Sequence, residues 1–159
     1  VDEDLKFNNA LRMLSEWSSD RQETAISKID GDTFIEWCAV SPNDRYLFAA
    51  HTCKIFDKTT RDTKVYLTLS DIAKRIFANA SDKEAVVKIF ISRFMPSGWS
   101  GSLATILRDR LPLLDELSST DNQEIKDLVN AAKSSFIKRI ELEEKREDNE
   151  ERSRTGSFE

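Results

Sequence analysis

Glycine and proline are scarce in this chain, with four Gly and three Pro among 159 residues. Sandwich and barrel folds need many turns that are rich in these residues, so the composition argues against an all-β fold. Hydrophobic residues make up 39% and charged residues 33% of the sequence. This balance is typical of a single helical domain with heavily charged outer faces.

Long apolar segments are also missing. No apolar run approaches the roughly 18 to 20 residues of a membrane span, and no basic-then-apolar signal segment opens the chain. We therefore predict a cytoplasmic protein without a membrane partner. The chain begins at Val1 and passes directly into an amphipathic pattern, so we expect a piece of a longer protein whose other domains hold any activity.

Residues that commonly carry catalysis are few. His51 is the only histidine, so a catalytic triad or a multi-histidine metal site would have to be built around it. Cys38 and Cys53 lack zinc-ligand spacing, and we predict them to be small buried thiols. No glycine-rich loop of the phosphate-binding kind is present. We predict a protein that is not an enzyme, with no catalytic residue, cofactor or metal.

Turns rich in Ser, Thr, Asn and Asp recur at a nearly constant interval. Their aspartates are Asp44, Asp82 and Asp121, which lie 38 and 39 residues apart. Apolar residues precede each aspartate in register, at the tenth and the fourth position before it. This period is typical of helical-hairpin arrays, in which each hairpin buries its apolar face against the next. The sequence therefore predicts an all-α fold of stacked antiparallel helical hairpins.

Helix starts are marked by Ser or Thr followed three residues later by Glu or Gln, the spacing of a capping box. These pairs are Ser19 with Gln22, Thr33 with Glu36, Ser81 with Glu84, and Thr120 with Gln123, and Ser70 is a fifth predicted N-cap. We predict about eight helices, near residues 3–17, 20–29, 33–40, 43–57, 70–79, 82–94, 101–118 and 121–150. The apolar residues predicted for the core include Leu5, Phe7, Ala10, Leu11, Leu14, Trp17, Trp37, Ile89 and Leu114.

Two segments interrupt the helical pattern. Residues 64–69 alternate in polarity, but a lone strand has no sheet to join. We therefore predict that residues 58–69 form a linker that tucks Tyr66 or Leu67 against the helices. Residues 95–102 are rich in turn formers and are predicted to be a loop. Pro112 lies inside the seventh predicted helix, where we expect a bend or break because proline lacks an amide hydrogen.

The C-terminal part of the chain is almost wholly charged from Lys138 to Arg154. Acidic residues there precede basic ones by four positions, as in Glu141 and Lys145, which is the favourable order on a helix. We predict a long, charged, exposed C-terminal helix, with an arm docked on another domain as the alternative. The predicted domains are a helical-hairpin domain at residues 1–140 and this charged helix or tail at residues 141–159.

The middle of the chain is basic, although the net charge of the whole is −5. Residues 61–110 carry 9 basic and 5 acidic side chains. Trp99 lies in a Ser/Gly loop, where it either fills a gap between hairpins or forms an exposed anchor. Trp and Arg are enriched at interface hot spots and stack on nucleic-acid bases. The predicted partner-binding residues are Lys88, Arg93, Trp99, Arg108 and Arg110, and a nucleic-acid site would add Lys74, Arg75 and Lys83.

The hairpin pattern resembles HEAT-type repeats, a family of α-solenoids. The closest stretch is Leu111-Pro112-Leu113-Leu114-Asp115-Glu116-Leu117 followed by Thr120-Asp121, with proline in the first helix and an acidic turn before the second. The resemblance covers residues 33–140 and departs from the pattern in the short first hairpin and the 58–69 insertion. It implies a scaffold that binds other proteins through an extended surface.

A second resemblance involves residues 94–104, the charged helix and the final Ser157-Phe158-Glu159. These segments are similar to the C-terminal ends of large bacterial proteins, some of which lie beside NTPase or phage-defence modules. We therefore predict a non-catalytic binding or scaffold region of a larger bacterial protein, which contacts a protein partner or another domain of its own chain. The alternatives are a nucleic-acid-contacting module and an accessory domain of an NTPase or phage-defence protein.

Overall fold

The described part of the fold is mainly helical. A computed structural model describes residues 26–156, of which 72% are helical. It contains six α-helices and one pair of antiparallel strands, in the order α1 (Gly31–Val40), α2 (Pro42–Thr52), β1 (Phe56–Arg61), β2 (Lys64–Leu69), α3 (Asp71–Asn79), α4 (Lys83–Phe94), α5 (Leu103–Ser118) and α6 (Gln123–Gly156). The mainly helical class is confirmed, and the strand pair is an addition to it.

The six helices correspond to six of the eight predicted ones. The predicted helix at residues 3–17 lies outside the described residues, as does most of the one at residues 20–29. The described end of the latter, Ile26–Lys28, is a single 3₁₀ turn. The predicted helix at residues 43–57 ends earlier than expected, because α2 stops at Thr52 and β1 begins at Phe56.

The chain divides into two compact units, Val1–Gly98 and Trp99–Glu159. The described part of the first unit holds α1 to α4 and the strand pair, and the second holds α5 and α6. The predicted boundary between residues 140 and 141 falls inside α6, which is continuous there.

Two helical hairpins build the first unit. Helix α1 packs on α2 and α3 on α4, and the hairpins meet where α2 contacts α4 and α1 contacts α3. A single residue, Ser41, separates α1 from α2, and Pro42 follows at the first helical position, where its missing amide hydrogen costs nothing. The buried apolar side chains include Phe34, Cys38, Tyr46, Ala49, Ile55, Leu67, Leu69, Ile76, Val86, Val87, Phe90 and Phe94.

The recurring aspartates all lie near the start of the second helix of a pair, although not at the same position. Asp44 lies in the first turn of α2 and Asp82 caps α4, while Asp121 lies two residues before α6. Within the first unit, the Ser81 hydroxyl donates a hydrogen bond of 3.0 Å to Oδ1 of Asn43. The turns of the first two hairpins are therefore neighbours in space.

The side chains that cap the helices are partly those predicted. Ser70 caps α3, because its hydroxyl accepts a hydrogen bond from the amide of Ala73 at 3.1 Å, as predicted. Elsewhere the acceptor is a nearby Asp or Asn and not the predicted Thr33, Ser81 or Thr120. Asp30 accepts from Thr33, Asp82 from Ala85 and Asn122 from Ile125. The predicted cap at Ser19 lies outside the described residues.

Residues 58–69 are not the predicted linker. Most of them belong to the hairpin β1–β2, in which Phe56 pairs with Leu69 and Arg61 with Lys64. Residues 56–61 carry mostly polar side chains and show no apolar alternation. Their sequence therefore does not predict the strand that pairs with residues 64–69. The two-residue turn has positive φ at both Asp62 and Thr63, the pattern of a tight hairpin turn. One side of the hairpin buries Leu67 and Leu69, while Tyr66 is exposed.

The second unit is a hairpin of two long helices. Leucines of α5, including Leu107, Leu114 and Leu117, are buried, as are Val129 and Phe136 of α6. Pro112 neither breaks nor ends α5, which runs without interruption to Ser118. Because Pro112 has no amide hydrogen, the backbone carbonyl of Arg108 has no helical hydrogen-bond donor. Both residues are exposed. Water can therefore hydrate that carbonyl, which makes the proline tolerable.

Candidate functional site

Three exposed apolar residues cluster in sequence around α1. Val40 is 73% exposed, Ile29 47% and Trp37 39%. Trp37 and Val40 lie three positions apart on the helix, so they share one side of it. Ile29 precedes the helix by two residues. We call Ile29, Trp37 and Val40 the α1 surface.

Helix α1 carries more apolar residues than its packing can bury. Phe34 and Cys38, four positions apart, form the buried stripe against the rest of the unit. At about 100° per residue, Val40 points about 120° away from Phe34 around the helix axis. Trp37 lies between them at about 60°. The prediction that Trp37 belongs to the core is therefore wrong, because the stripe is too narrow to include the whole indole.

The indole of Trp37 is held by aromatic neighbours. Its ring stacks on Phe34, with ring centroids 5.8 Å apart and planes 3° from parallel. The ring of Phe48 from α2 meets it edge-on at 5.8 Å. Such pairs add about 0.5 to 1.5 kcal/mol beyond area burial. Trp37 is thus fixed in position while more than a third of its surface remains open to solvent.

Arg45 fixes the same side chain from α2. Its guanidinium carbon lies 4.7 Å from the centre of the Trp37 ring, within cation–π range. Its Nη1 also donates to the carbonyl oxygen of Trp37 at 2.9 Å, near the C-terminal end of α1. One arginine therefore ties the backbone and the ring of Trp37 to α2. The arrangement presents a rigid aromatic edge with a positive charge beside it.

Arg93, a predicted binding residue, serves the interior of the first unit. Its Nη1 donates to the carbonyl of Ala50 at 2.7 Å and its Nη2 to the carbonyl of Cys53 at 2.9 Å. These carbonyls lie at the C-terminal end of α2, where the helix itself offers no amide partner. Burial lowers the pKa of the guanidinium, which nevertheless stays protonated.

The other predicted binding residues are distributed over both units. Lys88 is exposed on α4 and forms an ion pair of 2.6 Å with Glu84. In the second unit, Trp99 is 48% exposed. Arg108 pairs with Glu144, while Arg110 is buried. Because Arg108 and Arg110 are two positions apart on α5, they point to nearly opposite sides of the helix.

Several basic side chains of residues 61–110 have partners within their own units. Arg75 forms an ion pair of 2.7 Å with Asp32, and Lys83 lies 5.8 Å from the ring centre of Phe77. Together with the contacts of Lys88, Arg93 and Arg108, these interactions engage much of the positive charge with neighbouring groups of the same unit. A nucleic acid would have to compete with those partners for its phosphate contacts.

The thiols and the histidine of the first unit are partly or wholly buried. Cys38 and Cys53 are free and buried, and burial raises the pKa of each thiol to about 11. They are therefore poor nucleophiles. His51 is half-buried, and its pKa is lowered first by burial and then by the charge of Arg93. A neutral imidazole is the form that this position favours.

Within residues 26–156, no three His, Cys, Asp or Glu side chains are grouped so as to hold a metal ion. None of the helices described there has the length and apolar character required to cross a membrane.

The α1 surface was missed at the sequence level for a specific reason. Apolar residues on α1 were assigned to one stripe, although Phe34, Trp37, Cys38 and Val40 together cover more than the width of a single buried stripe. The signal was present as a broad apolar arc on a short helix. The support from Arg45 and Phe48 could not be read from α1 alone, because both lie on α2.

Comparisons with known proteins found no protein-family model, curated protein sequence or solved structure that matches this chain.

Proposed function

We propose that this chain is a non-catalytic helical binding region, and that its α1 surface receives a helix of a protein partner or of another domain of the same full-length protein. The observation that carries the proposal is the exposed but fixed ring of Trp37. A side chain that is already immobilised loses little further conformational freedom on binding, so its burial contributes more to affinity.

The chemistry of the α1 surface suits a protein more than a nucleic acid. It combines an aromatic ring, an aliphatic side chain one turn away and an arginine, which are the residues of interface hot spots. Apolar residues spaced three positions apart match an amphipathic helix lying against them. The acidic residues Asp32 and Glu36 on α1 would also repel phosphates.

A HEAT-like scaffold is part of this proposal. It is supported by the three aspartates, each near the start of the second helix of a pair, and by the hydrogen bond between Ser81 and Asn43.

The predicted roles of Trp99 and the basic residues remain alternatives. Nucleic-acid binding through the 61–110 segment is less well supported, because Arg75, Lys88 and Arg108 already pair with carboxylates. A role as an accessory domain of a larger NTPase or phage-defence protein is compatible with the binding proposal, since the α1 surface would then face another domain.

The test compares two variants that each remove one exposed aliphatic side chain. Val40→Gln alters the α1 surface, and Leu142→Gln is the matched control on α6, where the leucine is 61% exposed. Proteins captured by the 159-residue chain would be purified and recombined with each variant. We expect the true partner to lose affinity with Val40→Gln and to keep it with Leu142→Gln. A partner that binds both variants as well as wild type would refute the proposed site.

A further inference from the structure

The α1 surface is open among the described residues, and the segment that precedes it in sequence has matching chemistry. Residues 3–17 lie outside the described part of the chain. Their sequence alone predicts an amphipathic helix with Leu11, Leu14 and Trp17 at three-residue spacing. A helix with such a stripe is stabilised when its apolar side chains are buried against an apolar surface. The exposed side chains of the α1 surface can provide that surface.

The lengths of chain permit this contact. Eight residues, 18–25, separate the amphipathic stretch from Ile26. Fully extended they reach about 28 Å, and with the predicted helix beginning at residue 20 they reach about 16 Å. Helix α1 has 10 residues and is about 15 Å long. The linker can therefore bring residues 3–17 to any point of α1.

Residues 3–17 belong to the same chain as the α1 surface, which favours them over a separate protein as its occupant. A segment tethered by a short linker has a local concentration of about 1 mM at its target, which a separate protein rarely reaches. The linker residues are mostly polar, as in Ser18-Ser19-Asp20-Arg21, and they do not themselves match the apolar surface. The apolar contact would therefore come from residues 3–17.

We propose that residues 3–17 bind in cis to the α1 surface and that a partner must displace them. The proposal rests on the proposed function, and it adds regulation of the same site by the chain's own N-terminal segment. The contact is apolar, between the leucines of the segment and the Trp37 and Val40 side chains. Binding to a partner would then be weaker in the intact chain than in one whose segment has been disabled.

The first experiment measures how the full chain binds a fluorescent synthetic peptide of residues 1–19. Three proteins are compared: wild type, a released variant with Leu11→Asp and Leu14→Asp, and the released variant that also carries Val40→Gln. Because the cis segment no longer competes, the released variant should bind the peptide about tenfold more tightly than wild type. Val40→Gln should remove most of that gain.

The second experiment asks whether the contact is within one molecule. The full chain carries Leu14→Cys with Val40→Cys, and the control carries Leu14→Cys with Leu142→Cys. The native thiols are buried, so the introduced cysteines react first under mild oxidation. We expect a disulfide within the monomer that forms at least tenfold faster than in the control.

Several outcomes would overturn the proposal. Equal peptide affinity of wild type and the released variant would do so, as would binding that is insensitive to Val40→Gln or absent altogether. Disulfides formed only between molecules would show that a second copy is the occupant. In each case, a partner whose affinity still depends on Val40 would leave the proposed function standing, so the two failures can be told apart.

Discussion

The two units of the chain use different chemistry to hold their helices together. In residues 26–98, large buried side chains such as Ile76, Phe90 and Phe94 fill a core between four helices. In residues 99–156, the buried apolar side chains of α6 end at Ile140. Beyond that point the two helices of this unit are joined by Arg108 with Glu144 and by Ser102 with Glu147.

The difference shows where unused apolar surface remains. At the far end of the hairpin of α5 and α6, α6 contributes charged side chains, although Leu103, Ala104 and Leu107 of α5 stay buried there. The first unit instead leaves Trp37 and Val40 exposed on α1 while its own polar groups are satisfied inside, as by Arg93. Charged contacts tolerate water, whereas an exposed aromatic ring favours a partner. The second unit also exposes apolar side chains, at Trp99, Ile137 and Leu142. We propose the first unit as the binding site because the exposed ring of Trp37 is held in place by its neighbours.

The largest expected effects come from the buried apolar residues of the two units. Phe90→Ala and Leu114→Ala should each lower the free energy of unfolding by about 2 to 5 kcal/mol, because each leaves a cavity. Ile89, which we expected to be core, is only half-buried, so Ile89→Ala should cost less than either. Urea unfolding of the three variants measures the order. An Ile89→Ala loss equal to that of Phe90→Ala would contradict the core described for the first unit.

The next effect tests the polar clamp of the first unit, by which we mean the hydrogen bonds from Arg93 to the carbonyls of Ala50 and Cys53. Arg93→Met should lower the free energy of unfolding by about 2 kcal/mol, because the buried carbonyls of Ala50 and Cys53 lose a charged donor. Lys88→Met on the same helix is the control, since its surface ion pair contributes less than about 1 kcal/mol. Both are measured by urea unfolding. Similar stabilities of the two variants would show that the clamp is not important.

A smaller effect tests the polar contacts of the second unit. Ser102→Ala should cost about 1 kcal/mol, because the hydroxyl caps α5 through the amide of Thr105 and also binds Glu147 at 2.7 Å. Glu147→Gln should lower the free energy of unfolding by less than Ser102→Ala, and its difference from wild type should disappear in high salt. This contact ties the C-terminal helix to α5, whereas the sequence predicted an exposed tail. Deleting residues 145–159 should therefore lower the melting temperature slightly, and an unchanged value would favour the original prediction.

The smallest effect concerns pH. Because the pKa of His51 is lowered in the folded protein, unfolding takes up a proton when the pH falls below the ordinary His value of about 6.5. Stability is therefore full above that value and is lost as the pH falls through the folded-state pKa. His51→Gln should remove this loss below about pH 6.5. The same melting-temperature profile in wild type and variant would show that His51 is not responsible.

Local patterns predicted most of the helices, and contacts between distant residues account for what was missed. The helices were visible because capping residues and three-to-four spacing are local properties. The strand Phe56–Arg61 reads as polar, and it becomes a strand by pairing with residues 64–69. The helix caps were misplaced by one to three residues because Asp30, Asp82 and Asn122 also have side-chain oxygens that accept from an amide three residues on, and these side chains cap the helices in place of the nearby hydroxyls.

The candidate site was harder to predict than the fold. Arg93 was recognised as a notable residue, but its two carbonyl partners lie about 40 residues away in sequence. Trp37 was assigned to the core because its helix is apolar, whereas its exposure depends on how narrow the contact with α2 and α3 is. Whether a side chain faces the core or a partner is a property of packing, which sequence spacing describes only in part.

The central claim is that the α1 surface serves binding and not folding. Val40→Gln tests it most directly in the released variant (Leu11→Asp with Leu14→Asp), in which the N-terminal segment does not compete. We predict that the free energy of unfolding stays within about 0.5 kcal/mol of that of the released variant, because the side chain is exposed. The dissociation constant of the reconstituted complex should rise about tenfold, as burial of a valine would otherwise contribute at least 1.4 kcal/mol. An unchanged dissociation constant, or a loss of stability that accounts for the lost binding, would contradict the claim.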